Sequence, residues 1–533
     1  LRSIVMINCG AMESISNLFN APEGTKIYVI DSHRPLLLEN LSADNNHICV
    51  FDDESEDHRV NEVLNAYEEL MQAEEDQEFS ESDMDEEEDD DNDRPRQRRR
   101  LNNLEQGISL NALRSKRRQQ NKLIQDYYEA GAYYANSVSG VMYELAHQLG
   151  KSSNELLWFG IVGVTAQYIF ERIDTARYTE KLELFKDDRA RLNIDRNEDG
   201  QLLNPTQVII RAEDEYRFML FRHWSLYESM YHSGYVSSKL GVWKDAGKKR
   251  LNNMFAKMGF SLQQCQQIYT HMDMDLKQTL RNKIEHVAPL YGLTDICFPS
   301  FTRGYGYECC MSASDVVYAL STLIETSPQA ATRLGTSVIH DEDEAALRPS
   351  TSELVDGLGF QRRNWWMQNF YAAYDALGSP SPEALMRGLK LCMASQKAIV
   401  RQGIDIIDKR MVKLLRTFRF VNIRNGSDLA LFQHPSTLTK LGLFLVDAYR
   451  EHGKRNLPII LTSLDEENNS CLVIALSGAA TFGDVRKNLA FSDAAEKTKA
   501  RVSFDCFDHT VVQIHDADIE HFIESLSYHK QHH

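Results

Sequence analysis

At 533 residues and 42% hydrophobic content, the chain is long enough for two or three globular domains with proper cores. Its formal net charge of −19 does not describe an acidic surface, because residues 68–93 alone hold sixteen acids and no Lys or Arg, leaving the remainder close to neutral. The longest uncharged apolar run, 156–170, is short for a membrane span, and nine cysteines without C-x-x-C spacing argue against a zinc site and for reduced thiols.

The first segment alternates as strand (3–7), helix (12–19), strand (26–30) and short strand (47–51), the pattern of a parallel sheet with right-handed crossovers. It opens on Leu1 directly into a strand, so a preceding segment is expected. No signal peptide is read there. Residues 67–118 break the pattern with an acidic run followed by two basic clusters, 94–100 and 114–118. Such blocks bury too little apolar area to offset their ordering entropy, so a disordered insertion is expected, becoming helical near 108. A helical stretch over 124–149 follows. Residues 154–173 are apolar almost all round and read as a buried helix capped by Ser153 or Asn154.

From about 205 to 345 the reading is a helical bundle, with helices at 213–231, 248–258, 261–272, 276–291 and 315–325. The last third returns to α/β. Helices at 364–377, 382–402, 436–451 and 484–500 are set among strands at 419–423, 429–433, 458–463, 471–476, 502–506 and 510–514. The resulting domain boundaries are 1–66 with 119–204, the insertion 67–118, then 205–345 and 346–533.

The most informative residues close the strand 26–30. There Asp31, Ser32, His33, Arg34 and Pro35 sit at the carboxyl edge of a sheet, where open α/β folds bind ligands and metals. One strand earlier the corresponding edge carries Asn8-Cys9-Gly10. Two-metal phosphoester hydrolysis needs several carboxylates and histidines converging on two cations. Asp-x-His alone also fits an Asp that merely caps the next turn.

The surrounding motifs resemble those of the DHH phosphoesterase superfamily, which includes the RecJ-type single-strand exonucleases. Asp31-Ser32-His33-Arg34-Pro35 is similar to its Asp-His-His signature with the middle histidine replaced. Asn8-Cys9-Gly10 stands where that family has Asp-x-Gly, and Gly163 to Ala166 where it has Gly-x-x-x-Asp. The family's opening Asp-x-Asp would lie in the segment expected to precede Leu1.

By this resemblance the fold is α/β, with a DHH (RecJ-like) parallel-sheet domain, a helical middle domain and a C-terminal DHH-associated α/β domain. The metal site is a remnant, marked by Asn8, Asp31, Ser32, His33 and Ala166, because an amide, a hydroxyl and a methyl do not hold divalent cations against hydration. The segments His223-Trp224-Ser225-Leu226, Gly247-Lys248-Lys249-Arg250-Leu251, Ala313 to Ala319 and His434-Pro435-Ser436 resemble the non-catalytic branch of that superfamily, found in the eukaryotic replicative helicase. The resemblance implies a nuclear scaffold subunit without enzymatic activity, metal or cofactor. It would bridge the MCM ring and the GINS complex, with replicative polymerase and other fork proteins as further partners and no membrane.

Trp224, Tyr227 and Trp243 are the candidate partner contacts, set against an ordinary core role. The adjacent Trp365 and Trp366 diverge on a helix, so that one faces a core and the other a contact. Arg34, Arg486 and Lys487 are candidate contacts to single-stranded DNA. Ser55, Ser80 and Ser82, set among acids, are candidate phosphorylation sites against a plain solvated tail. The basic clusters read either as a nuclear import signal or as counter-charge to the acidic run. The rival functions are a manganese-dependent single-strand nuclease or phosphodiesterase of the same superfamily and, more weakly, a histone-binding chaperone using the acidic run.

Overall fold

The structure is a computed structural model that describes all residues except 1, 20, 21, 23, 52–58, 83–109, 130, 193–208, 307, 336–364, 427, 451–456, 478–490, 506, 509 and 529–533. It is a mixed α/β protein that separates into two compact units, one spanning residues 1–138 and the other the described residues from 139 onward.

In the first unit, β1 (Ser3–Ile7), β2 (Lys26–Ile30) and β4 (Ile48–Val50) form a parallel sheet in the order β1-β2-β4. Short apolar runs form these strands. Ile27, Val29 and Ile48 enter a small core with Ala11, Ile15 and Leu36. The predicted helix 12–19 is shorter, Ile15–Leu18, with Ile15 buried. A two-stranded ribbon pairs β3 (His33–Arg34) with β5 (Tyr133–Tyr134).

Two helices, Arg59–Ser82 and Leu110–Glu129, pack on each other, and Lys116 pairs with Glu69 at 2.8 Å. Residues 67–82 and 110–118 of the expected disordered insertion are therefore helical. Glu69 of the first helix thus meets a compensating charge on the second. Residues 83–109, including the cluster 94–100, lie outside the described residues. The expected continuous helix over 124–149 is broken at Gly131, whose φ of +84° leaves the helical region. The Leu110–Glu129 helix is tied to the first unit by Tyr127 Oη donating to the Leu36 carbonyl at 3.0 Å and Tyr128 Oη accepting from the Leu38 amide at 3.1 Å.

In the second unit the helix Asn154–Ile169 is buried on most sides, and Ser153 caps it by accepting from the Leu156 amide. Trp158, Ile161 and Val164 pack with Val316, Leu323 and Leu389 in one core. The middle region is not a pure bundle. Residues 213–216, read from sequence as the start of a helix, belong instead to β6 (Ile210–Tyr216), which pairs with β7 (Cys297–Tyr305), itself paired with β8 (Cys309–Ser312). Helix begins only at Leu226–Tyr231, capped by Ser225. A run such as Glu213-Asp214-Glu215 satisfies helix propensity locally, yet pairing with a strand far along the chain overrides it.

C-terminally, a six-stranded sheet runs in the order β13-β14-β12-β11-β10-β9. Its strands are β9 (Lys413–Leu414), β10 (Arg419–Ile423), β11 (Ile459–Asp465), β12 (Ser470–Leu476), β13 (Val502–Phe504) and β14 (Val511–His515). Only β10 and β11 pair in parallel. Residues 429–433, expected as a strand, are a 3₁₀ turn leading into the helix Pro435–Arg450.

Candidate functional site

The carboxyl edge of β2 is built around one carboxylate. Asp31 Oδ2 accepts from the Ala11 amide at 3.0 Å, and Oδ1 accepts from the His33 amide at 3.1 Å and lies 2.6 Å from His33 Nδ1. Burial works to raise the Asp31 pKa, but the hydrogen bonds from His33 and Ala11, with the charge of His33, outweigh it and hold the carboxyl below its usual value. Beside it, Ser32 Oγ donates to Asn8 Oδ1 at 2.9 Å. Asn8 itself is in the left-handed region, with φ of +55°. Gly10 follows at φ +96°, where an added Cβ would meet Met6 Cε at 2.7 Å. The turn after β1 is thus shaped to bring an amide oxygen, not a carboxylate, to the edge.

Asp31, His33, Ser32 and Asn8 come together as expected, but their donors and acceptors are directed at one another. Two divalent cations need several carboxylates and histidines left open to them. The edge offers one carboxylate whose two oxygens take three hydrogen-bond contacts and one imidazole already set against it. These residues do not fit a two-cation centre. Among the described residues, no group of three or more His, Cys, Asp or Glu is placed to hold a metal ion. Ala166 lies in the second unit on the Asn154–Ile169 helix, partly buried against the core. Counted from Gly163, the acid of Gly-x-x-x-Asp falls one residue on, at Gln167, and neither the Ala166 methyl nor that amide supplies an anionic ligand.

Arg34 needs correction as a candidate DNA contact. It is 1% exposed and donates through Nη1 to the carbonyls of Asp31 at 2.9 Å and His33 at 3.0 Å, so its guanidinium braces the edge from inside. Arg486, Lys487 and Ser55 lie outside the described residues. Ser80 and Ser82 fall at the end of the Arg59–Ser82 helix.

Two of the three candidate contact aromatics are core residues. Trp224 is buried, stacks on His232 with centroids 5.1 Å apart, and has Lys397 Nζ 5.4 Å over its ring. Trp243 is buried edge-on to Phe444. Tyr227 is half-buried, stacked on Tyr231. The apolar area of an indole makes core packing its default use, and here it prevails.

Sequence reasoning missed a buried ion cluster in the second unit. Arg222 Nη1 donates to Glu215 Oε2 at 2.6 Å and lies 3.9 Å from Asp315, while His223 Nε2 is 3.3 Å from Asp315 Oδ2. Asp315 also closes a capping box with Ser312, accepting from its amide at 3.2 Å. Burial raises the Glu215 pKa, with the Arg222 charge opposing it. At Asp315 the same desolvation is outweighed by His223, Arg222 and the Ser312 amide, so its pKa is lowered. The cluster joins two segments singled out in the sequence, around His223 and around Asp315. The legible signal was Ser312-x-x-Asp315 as a helix start.

The CDC45 family model matches residues 1–94 and 77–529. The cell division control protein 45 homolog of Schizosaccharomyces pombe is 39% identical, over 99% of this chain and 87% of its own length. Cell division control protein 45 of Saccharomyces cerevisiae is 32% identical, over 94% of this chain and 81% of its own. The crystal structure of CDC45 from Entamoeba histolytica superposes with a TM-score of 0.64 at 22% identity, covering 99% of this chain and 84% of that one, a likeness of fold.

Proposed function

Because this chain belongs to the CDC45 family, which supports a role in DNA replication, we propose that it is a non-enzymatic scaffold of the eukaryotic replicative helicase. In this reading it works in the nucleus, bridging the MCM ring and the GINS complex for origin firing and fork unwinding. The first unit is a DHH-derived domain whose hydrolytic edge has been converted into a structural one, and the six-stranded sheet is the DHH-associated domain.

The observation that carries the reading is the state of Asp31. A catalytic carboxylate must present its lone pairs to a metal or a substrate, whereas this one is buried and engaged by the Ala11 amide, the His33 amide and the His33 ring. What the edge retains is geometry without open ligands. A protein kept for its surfaces needs several rigid faces, each covering on the order of 800 Å² per partner, and a chain of 533 residues in two compact units has area for more than one. With Arg34 buried, weak contact to single-stranded DNA would fall to Arg486 and Lys487.

The test is co-elution. Tagged protein drawn from dividing cells and passed over a sizing column should migrate with MCM and GINS subunits. Migration as a lone chain, under conditions where MCM and GINS remain associated, would overturn the proposal.

A further inference from the structure

The helix Trp365–Gly378 is built inside out. The face it turns to the protein carries Asn369, Ala373 and Ala376, while its open face carries Trp366, Met367, Phe370, Tyr371 and Tyr374. An ordinary surface helix buries its large apolar residues and exposes its small and polar ones. Here the small residues let it lie close against its neighbours, Ala313–Glu325 and Glu383–Asp408. Asn369 Nδ2 pins it by donating to the Thr326 carbonyl at 2.9 Å. Attachment uses the alanines, Leu377 and the amide, so the five open side chains are not needed for it.

Those five open side chains are between 41% and 69% exposed. Trp366, Phe370 and Tyr374 recur every four residues, with Met367 and Tyr371 beside them, so the five form one continuous ridge. Phe370 lies 5.5 Å from Tyr371 and 6.5 Å from Tyr374, centroid to centroid. Side chains of this kind cover about 150–250 Å² each when buried, so the ridge leaves roughly 500 Å² of largely apolar surface open. That is at the upper end of what a lone monomer shows. Asp375 is the helix's one charged residue.

We propose that this ridge is a docking site for the apolar face of a helix in a partner protein. Two observations select that occupant. A ridge without charge at its centre would strip water from any charged group set upon it without returning an ion pair, so the partner face must itself be apolar along its middle. The area is well short of the roughly 800 Å² per side of a stable two-protein interface, so it does not hold a second copy of this chain alone. It suits one anchor among several, with the spacing of residues 366, 370 and 374 fitting the grooves of a facing helix. The inference extends the scaffold reading by naming a surface for one of its contacts.

The test uses the full chain, free and in whatever assembly it forms in cells. Hydroxyl-radical oxidation of Trp366, Met367 and Tyr374 is expected to fall at least fivefold in the assembly, while buried Met311 stays unlabelled in both states. With p-benzoylphenylalanine in place of Tyr374, the crosslinks should land on apolar positions of a helix in another protein. The double variant F370S/Y374S, with its unfolding midpoint unchanged, should retain that protein at least tenfold more weakly.

Unchanged oxidation in an assembly that contains MCM and GINS overturns this inference and leaves the scaffold reading standing. Protection in an assembly lacking both overturns the scaffold reading and leaves this inference standing. Crosslinks confined to this chain, to a second copy of it, or to a charged surface overturn the docking site. A chain that stays alone with the helix fully labelled overturns both.

Discussion

Replacing Asp31 by alanine tests the proposal that the edge serves structure rather than chemistry. The side chain takes hydrogen bonds from two buried amides, of Ala11 and His33, and sits against the His33 ring. Hydrogen bonds to a charged group contribute about 1.5–3 kcal/mol each, and a buried amide left without an acceptor costs about 1–3 kcal/mol. These effects share one carboxylate and do not add fully, so Asp31→Ala should destabilise the first unit by about 3–5 kcal/mol. Native-state hydrogen exchange reads it directly. The amides of Ala11 and His33 should lose protection by that amount, while amides of the Asn154–Ile169 helix in the second unit should be unaffected.

The penalty also carries a pH signature. The folded pKa of Asp31 is lowered, so its stabilisation is complete above the unfolded value of about 3.9 and is lost as pH falls below that toward the folded pKa. The stability gap between wild type and Asp31→Ala should therefore narrow as pH falls below about 4. A variant as stable as wild type at neutral pH would refute the reasoning.

Three further outcomes follow from the packing. Asp315→Ala removes the carboxylate facing His223 and Arg222 together with the acceptor of the Ser312 amide. It should cost about 3–5 kcal/mol in denaturant titration, as breaking a buried pair does, and a loss under about 1 kcal/mol would show the cluster to be dispensable. Gly388→Ala places a Cβ 2.7 Å from the Ala319 carbonyl oxygen, which a backbone cannot yield cheaply, so the crossing helices must part. A cost of about 1–3 kcal/mol is expected, and an unchanged unfolding midpoint would contradict the close approach. In contrast, Lys116→Ala breaks a pair whose two side chains are more than half exposed and should shift stability by less than about 1 kcal/mol, measured against salt concentration.

The parallel strands of the first unit and most strands of the C-terminal sheet were legible because short apolar runs between turn residues mark them locally. Ile27, Val29 and Ile30 of such a run are buried. The β6-β7-β8 sheet was not legible. Glu213, Asp214 and Glu215 satisfy a helix pattern over a short window, while their strand state depends on Ser300, Pro299 and Phe298 far along the chain. Cys297–Tyr305 hides its own strand behind Pro299 and Gly304, which read as turn residues.

At the candidate site, Asp31 and His33 were visible together because only Ser32 separates them. That Asp31 is saturated was not visible, since the Ala11 amide that takes its other oxygen comes from a turn twenty positions earlier. The burial of Arg34 escaped for the same kind of reason, its acceptors being main-chain carbonyls that composition does not display. The exposed ridge of the Trp365–Gly378 helix was half visible in the paired tryptophans. Which face the helix would bury was decided by the alanines and by Asn369.

The central claim meets its most direct test in a titration of the purified chain with Mn²⁺, run beside a degradation assay on end-labelled single-stranded DNA. The account predicts no stoichiometric uptake of the cation at the Asp31 edge and no cleavage above that of Asp31→Ala. Two equivalents of tightly held Mn²⁺, with strand cleavage that disappears in a folded Asp31→Ala variant, would contradict it.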